Sequence, residues 1–246
     1  MILAVIASLV CYSVLCLAGC GETDPQGPTS ARADAPGDLA ERRKRMVEHQ
    51  LRARGIKSEA VLGVMLKVPR HRFVPAAEAD SAYEDHPLPI GQDQTISQPY
   101  IVAYMTEAAE LSPNEKVLEV GTGSGYQAAV LGELVREVYT IEILPELGER
   151  ARATLADLGY KNIHVRTGNG YEGWAEHAPF DAIVVTAAPD EVPPALVDQL
   201  AVNGRMVIPV GTGEQDMLII TKTPDGVVQK RTIAVRFVPM TGKPRQ

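Results

Sequence analysis

Residues 117–127 run Val-Leu-Glu-Val-Gly-Thr-Gly-Ser-Gly-Tyr-Gln, with Gly121, Gly123 and Gly125 at alternate positions between an apolar stretch and a helix-forming one. A short apolar run ended by glycines reads as a strand buried on both faces, and such strands belong to parallel sheets covered by helices. The glycines let the backbone turn sharply and approach a ligand, while the first turn of the helix presents free N–H groups to it. Glu142 stands at the end of the next apolar run. A carboxylate there can accept both hydroxyls of an adenosine ribose, so loop and acid together point to an adenosine-containing cofactor.

The rest of the body fits such a sheet. Asp38 reads as the cap of a first helix with Leu39, Met46, Val47 and Leu51 inward, and Gly55 ends it. Ser58 caps a second short helix that Pro69 stops. Residues 73–99 hold Pro75, Pro87, Pro89 and Pro99 with little periodicity, which predicts an irregular crossing segment where functional residues can sit. Beyond it the pattern predicts helix 100–111, strand 116–120, helix 125–135, strand 137–142, helix 145–158 and strand 162–167. Strand 180–186, helix 194–200 and strands 204–210, 216–222 and 229–237 complete the chain. Alternating strand and helix means an α/β, Rossmann-like, doubly wound parallel sheet with an N-terminal helical region.

Composition narrows the chemistry. The 246 residues are 45% apolar, enough for one sizeable core, and Lys plus Arg total 24 against 31 Asp plus Glu. A net charge of −7 with only 5% aromatics argues against a nucleic-acid partner. The basic run Arg42-Arg43-Lys44-Arg45 reads as a solvated helix face. All three cysteines, Cys11, Cys16 and Cys20, fall in the first twenty residues, and His49, His71, His86, His164 and His177 show no ligand spacing, so no metal site is expected.

Which adenosine cofactor the loop holds depends on its neighbours. Gly123-x-Gly125-x-x-Ala128 satisfies a relaxed dinucleotide fingerprint. However, Glu119 before the first glycine makes an E-x-G-x-G-x-G string that resembles the S-adenosylmethionine loop of class I methyltransferases. A carboxylate there suits the cationic amino-acid end of that cofactor better than a pyrophosphate. A nicotinamide-dependent oxidoreductase would need a hydride-side pair such as Tyr-x-x-x-Lys, and none occurs. Further along, Gly168-Asn169-Gly170 follows the third strand, where a side-chain acceptor could take the adenine amino group. Asp181 reads as structural, and Thr186-Ala187-Ala188 would line the crevice at the strand ends.

Four segments taken together, Pro89 to Pro99 with its Thr95-Ile96-Ser97 core, Glu119 to Gln127, Phe180 to Ala188, and Arg236-Phe237-Val238-Pro239, resemble the protein-L-isoaspartate (D-aspartate) O-methyltransferase family. The resemblance runs from about residue 40 to 242, and Thr95-Ile96-Ser97 is its family-specific element. It implies methyl transfer from S-adenosylmethionine to the free carboxylate of L-isoaspartyl and D-aspartyl residues in damaged proteins and peptides. The methyl ester closes to a succinimide, and hydrolysis returns part of it to normal aspartate. By resemblance Ser97 is the active-site serine, while Thr95, Ile96, Glu119, Gly121, Gly123, Gly125, Glu142, Asn169 and Thr241 bind the cofactor. Asn169 departs from the usual Gly-Asp-Gly pattern, which removes charge assistance from an adenine contact there. A non-catalytic lipoprotein that only binds adenosine ligands, and a methyltransferase for another acceptor, are the alternatives.

Residues 2–18 form an uncharged apolar run too short for a comfortable membrane span and resemble a secretory signal. Leu17-Ala18-Gly19-Cys20 resembles a bacterial lipoprotein cleavage box, with Cys20 as the lipid-bearing residue. The expected organisation is a signal peptide at 1–19, a flexible linker at 20–37 and a methyltransferase domain at 38–246, exported as a membrane-anchored monomer. The alternative is a cytoplasmic enzyme, as is usual for the family.

Overall fold

The structure, a computed structural model, describes residues 36–242. The expected signal peptide, Cys20 and most of the linker lie outside the described residues. Helix α1 (Pro36–Arg45) starts before Asp38, which lies in its first turn, paired with Arg42 at 3.1 Å, rather than capping it. A wider turn over Met46–Leu51 and a tight one over Arg52–Arg54 continue it, burying Met46, Val47 and Leu51, until Gly55 turns left-handed at φ +99°. Helix α2 (Glu59–Lys67) is capped as expected by the Ser58 side chain, which accepts the Val61 N–H at 3.3 Å.

The proline-rich stretch is more ordered than its sequence suggests. It carries a hairpin of β1 (Leu88–Gly91) and β2 (Gln94–Ile96), antiparallel to each other, joined by Gln92 and Asp93 at φ 55° and 54°. Both joining residues are left-handed, as a tight primed turn requires. Helix α3 (Pro99–Ala108) follows, then β3 (Lys116–Val120), α4 (Tyr126–Gly132), β4 (Glu137–Glu142), α5 (Pro145–Asp157) and β5 (Ile163–Thr167). The chain ends with β6 (Phe180–Val185), α6 (Pro194–Gln199), β7 (Leu200–Val210), β8 (Gln215–Thr223) and β9 (Gly226–Val235).

Seven strands form one sheet in the order β5-β4-β3-β6-β7-β8-β9. From β5 to β7 the neighbours are parallel, as the doubly wound pattern predicts, while the two C-terminal strands add on antiparallel, β7–β8 and β8–β9. The connections explain it: residues 211–214 and 224–225 are too short for the helical crossover that parallel pairing demands. Side chains of β3 alternate between two apolar layers. Val117 joins the layer of α2, α3, α4 and α5, and Leu118 and Val120 join that of α6 and Trp174. Asp181 is structural, its Oδ2 accepting the Lys116 N–H at 2.8 Å to lock β6 beside β3. Strand order reverses at β3, with β4 on one side and β6 on the other, and a crevice opens there at the carboxyl ends.

Candidate active site

An open cavity, about 790 Å³ when the solvent at its mouth is counted, occupies that crevice. Its floor is the glycine loop. Gly121 has φ +100°, and a Cβ there would fall 2.5 Å from Thr186 Oγ1, so only glycine fits. Thr186 donates its hydroxyl to Gly121 O at 2.7 Å, tying the end of β6 to the loop. Glu142 is buried at the end of β4, where Oε2 accepts the Gly123 N–H at 2.8 Å and Oε1 the Leu144 N–H at 3.0 Å. The carboxylate is therefore held rigid, with lone pairs left to face the cavity.

Glu119 is wholly buried yet borders the cavity. Thr140 donates to its Oε2 at 2.5 Å, and Thr122 Oγ1 lies 2.6 Å from Thr140 Oγ1, so the three side chains form a hydroxyl chain ending on the carboxyl. Oε1 has no hydrogen-bond partner among the described residues. Burial pushes this carboxyl up to about 8, against the lowering effect of the Thr140 hydrogen bond and with a smaller rise from the neighbouring Glu142. A buried, half-satisfied carboxyl asks for a donor or a cation from a ligand.

The upper wall comes from the hairpin and the residues just after it. Thr95, Ile96 and Ser97 all line the cavity, and no side-chain hydrogen bond engages the Ser97 hydroxyl among the described residues. The hairpin is clasped to α5: Gln92 Nε2 donates to Glu146 Oε2 at 2.6 Å, and Arg150 donates to Ile90 O. The last wall is Val238 to Thr241, brought in beside β6 by Ala188 N–H to Val238 O (2.9 Å) and Met240 N–H to Ala188 O (2.7 Å).

Eight of the ten residues expected at the site line this one cavity: Thr95, Ile96, Ser97, Glu119, Gly121, Gly123, Glu142 and Thr241. Gly125 and Asn169 do not. Gly125 sits at the start of α4 with φ +88°, where a Cβ would come within 3.3 Å of Ala151 Cβ, so its place is in the packing of α4 on α5. Asn169 caps the short turn Gly170–Glu172, its Oδ1 accepting the Tyr171 N–H at 3.2 Å, and its neighbour Gly170 reaches the cavity instead. Sequence reasoning missed the Thr122–Thr140 pair. A hydroxyl inside an apolar strand carries no signal until its neighbour across the sheet is known.

The sequence pattern of the family described as protein-L-isoaspartate(D-aspartate) O-methyltransferase matches residues 41–245. A Gloeobacter violaceus protein-L-isoaspartate O-methyltransferase is 63% identical over 198 residues, covering 80% of this chain and 97% of its own. One from a Synechococcus strain is 57% identical over 231 residues, covering 91% and 93%. Among solved structures, a protein-L-isoaspartate O-methyltransferase superposes with a TM-score of 0.75 at 29% identity, covering 82% of this chain and 67% of that one. A Plasmodium falciparum beta-aspartate methyltransferase in complex with S-adenosyl-L-homocysteine gives 0.72 at 28% identity, covering 81% and 98%.

Proposed function

The chain belongs to the protein-L-isoaspartate (D-aspartate) O-methyltransferase family, and on that premise we propose how its own residues serve the reaction. The protein transfers a methyl group from S-adenosylmethionine to the free carboxylate of isoaspartyl residues in damaged proteins and peptides, the step that starts their repair. When bound, the cofactor supplies the methyl group in activated form on a cationic sulfur.

One observation carries the residue roles: the orphaned, buried Glu119 Oε1 at the cavity wall fits the cationic amino-acid end of such a cofactor. Glu142, rigidly held, receives ribose hydroxyls, and Gly121 and Gly123 let the backbone come close. Asn169 acts at one remove, by capping the turn that presents Gly170. Thr95, Ile96 and Thr241 close the cavity over the ligand. A carboxylate acceptor with an ordinary pKa near ~4 is already ionised at neutral pH, so the transfer asks for no general base. The task is alignment in a dry site. Ser97 serves it by hydrogen bonding, orienting the acceptor without becoming a nucleophile.

The test is transfer of labelled methyl to an isoaspartyl peptide beside its normal aspartyl twin. Base-labile label on the isoaspartyl peptide alone is the expected result; label on neither, with cofactor bound, sinks the reading. Ser97→Ala should lower kcat by about a hundredfold while S-adenosylhomocysteine binds as before. Unchanged turnover would remove Ser97 from the mechanism.

Residues 1–19 as a lipoprotein-type leader, with Cys20 as the lipid-bearing residue of a tethered monomer, complete the proposal. The Leu17-Ala18-Gly19-Cys20 box and the Gly-, Pro- and Ser-containing stretch after it support export. Since S-adenosylmethionine is made in the cytoplasm, an exported enzyme requires a cofactor supply outside it.

A further inference from the structure

We infer that Asp85 is a positioning residue for the transfer: its carboxylate pins the segment that carries Ser97 over the cofactor cavity. The inference deepens the alignment role assigned above to Ser97 and rests on it. Helix α3 begins at Pro99 with Gln98 in the capping position, but the Gln98 side chain makes no cap. The first-turn N–H groups of a helix need an acceptor from somewhere. It comes from upstream of the hairpin: Asp85 Oδ1 accepts the Tyr100 N–H at 2.9 Å, and Oδ2 accepts Gln98 Nε2 at 3.3 Å. Oδ2 also takes the guanidinium of Arg54, which lies 3.7 Å over the Tyr100 ring.

One carboxylate thereby closes the loop of chain from 85 to 100, which contains the hairpin, Thr95, Ile96 and Ser97. Ser97 is then fixed from both sides, by β2 before it and by the capped helix after it. The ion pair with Arg54 alone would contribute little, because Arg54 is 46% exposed. The Asp85 carboxylate is only 16% exposed, and its bond to a backbone N–H at a helix start is charge-assisted and favoured by the helix dipole. Arg54, Gln98 and Tyr100 also line a groove that meets the cofactor cavity at Thr95 and Val238, so the same clamp shapes a wall of the groove that adjoins the cavity. Glu119, Gly121, Gly123 and Glu142 stand on the sheet side, outside the pinned segment, whereas Thr95 and Ile96, which close the cavity over the ligand, ride on it with Ser97.

The experiment compares kcat, KM for an isoaspartyl peptide and the Kd for S-adenosylhomocysteine in native protein, Asp85→Ala, Asp85→Asn and Ser97→Ala. Asp85→Ala should lower kcat by about tenfold or more, with a distinctly smaller loss in the Kd for S-adenosylhomocysteine, because only Thr95 and Ile96 of the cofactor contacts lie on the pinned segment. Asp85→Asn keeps an oxygen for the Tyr100 N–H and should recover kcat to within about threefold of native. Native kcat in Asp85→Ala, a parallel loss of cofactor affinity, or an Asp85→Asn as impaired as Asp85→Ala would each overturn the role. If Asp85→Ala fails to fold, Asp85→Asn alone decides, since a large loss of kcat there contradicts the cap. Ser97→Ala separates the two levels: if it keeps native turnover the Ser97 reading fails, whereas an impaired Ser97→Ala beside a native-like Asp85→Ala refutes only the clamp.

Discussion

Glu119 is buried where a charge is costly, and its environment supplies only part of what the charge needs. Thr140 satisfies one oxygen, the other has no partner among the described residues, and burial pushes the carboxyl up to about 8. At pH 7 the free protein therefore holds this group mostly protonated. A ligand cation beside it favours the carboxylate, so binding should expel a proton, and affinity should rise as pH climbs from about 6 to about 8. Calorimetry of S-adenosylhomocysteine binding at pH 7 in buffers of different ionisation enthalpy should show that proton release, and Glu119→Gln should abolish it. The sign for stability runs the other way. With a folded pKa raised above its unfolded value, this carboxyl contributes stability below about 4.5 that is lost as pH rises through about 8. Ligand-free native protein should accordingly lose thermal stability over that range relative to Glu119→Gln. The acid itself was legible from its place before Gly121. Its proton was not, because the burial that raises its pKa is set by the packing around β3, which no local spacing records.

The three loop glycines look equivalent in the sequence, but the elements around them make them different. Gly121 faces Thr186, just past the end of β6, and Gly125 faces Ala151 on α5, both glycines at positive φ. Gly125→Ala should cost about 1–2 kcal/mol of unfolding free energy through the left-handed backbone and leave cofactor affinity largely intact once folded. Gly121→Ala drives a methyl into Thr186 Oγ1 at the floor of the cavity, so cofactor binding should fall at least as steeply as stability. Denaturant unfolding alongside binding of S-adenosylhomocysteine separates the two. The helices and the strands from β3 to β8 were legible to within a few residues because most are apolar over their whole length or along one stripe. The hairpin was not, since strands of four and three residues are too short for alternation to stand out and Gln92-Asp93 is not an Asn-Gly or Asp-Gly turn. Asp85 was missed for a related reason. A carboxylate that caps a helix beginning on the far side of a hairpin leaves no local spacing to read.

At the scale of the whole molecule, the site is assembled from parts distant in sequence. The N-terminal half supplies the Ser97 segment and the glycine loop, and the strand order places β6 beside β3 so that Thr186 meets that loop. The antiparallel β8 and β9 then return the chain, so that Val238 to Thr241 close the cavity. The last wall was legible only as the family-like Arg236-Phe237-Val238-Pro239, because nothing local says that these residues come back to β6. Every described wall of the cavity falls between residues 94 and 241, well after Cys20. Anchoring and catalysis should therefore be separable. Expressed from Met1 in a bacterium that processes lipoproteins, the native chain should take up labelled fatty acid and sediment with membranes. Cys20→Ala should lose the label and leave the membrane fraction while keeping kcat for an isoaspartyl peptide within about twofold of native. Equal fractionation of the two proteins without fatty-acid label would argue for a cytoplasmic enzyme. A loss of kcat in Cys20→Ala would mean that the anchor takes part in building the site.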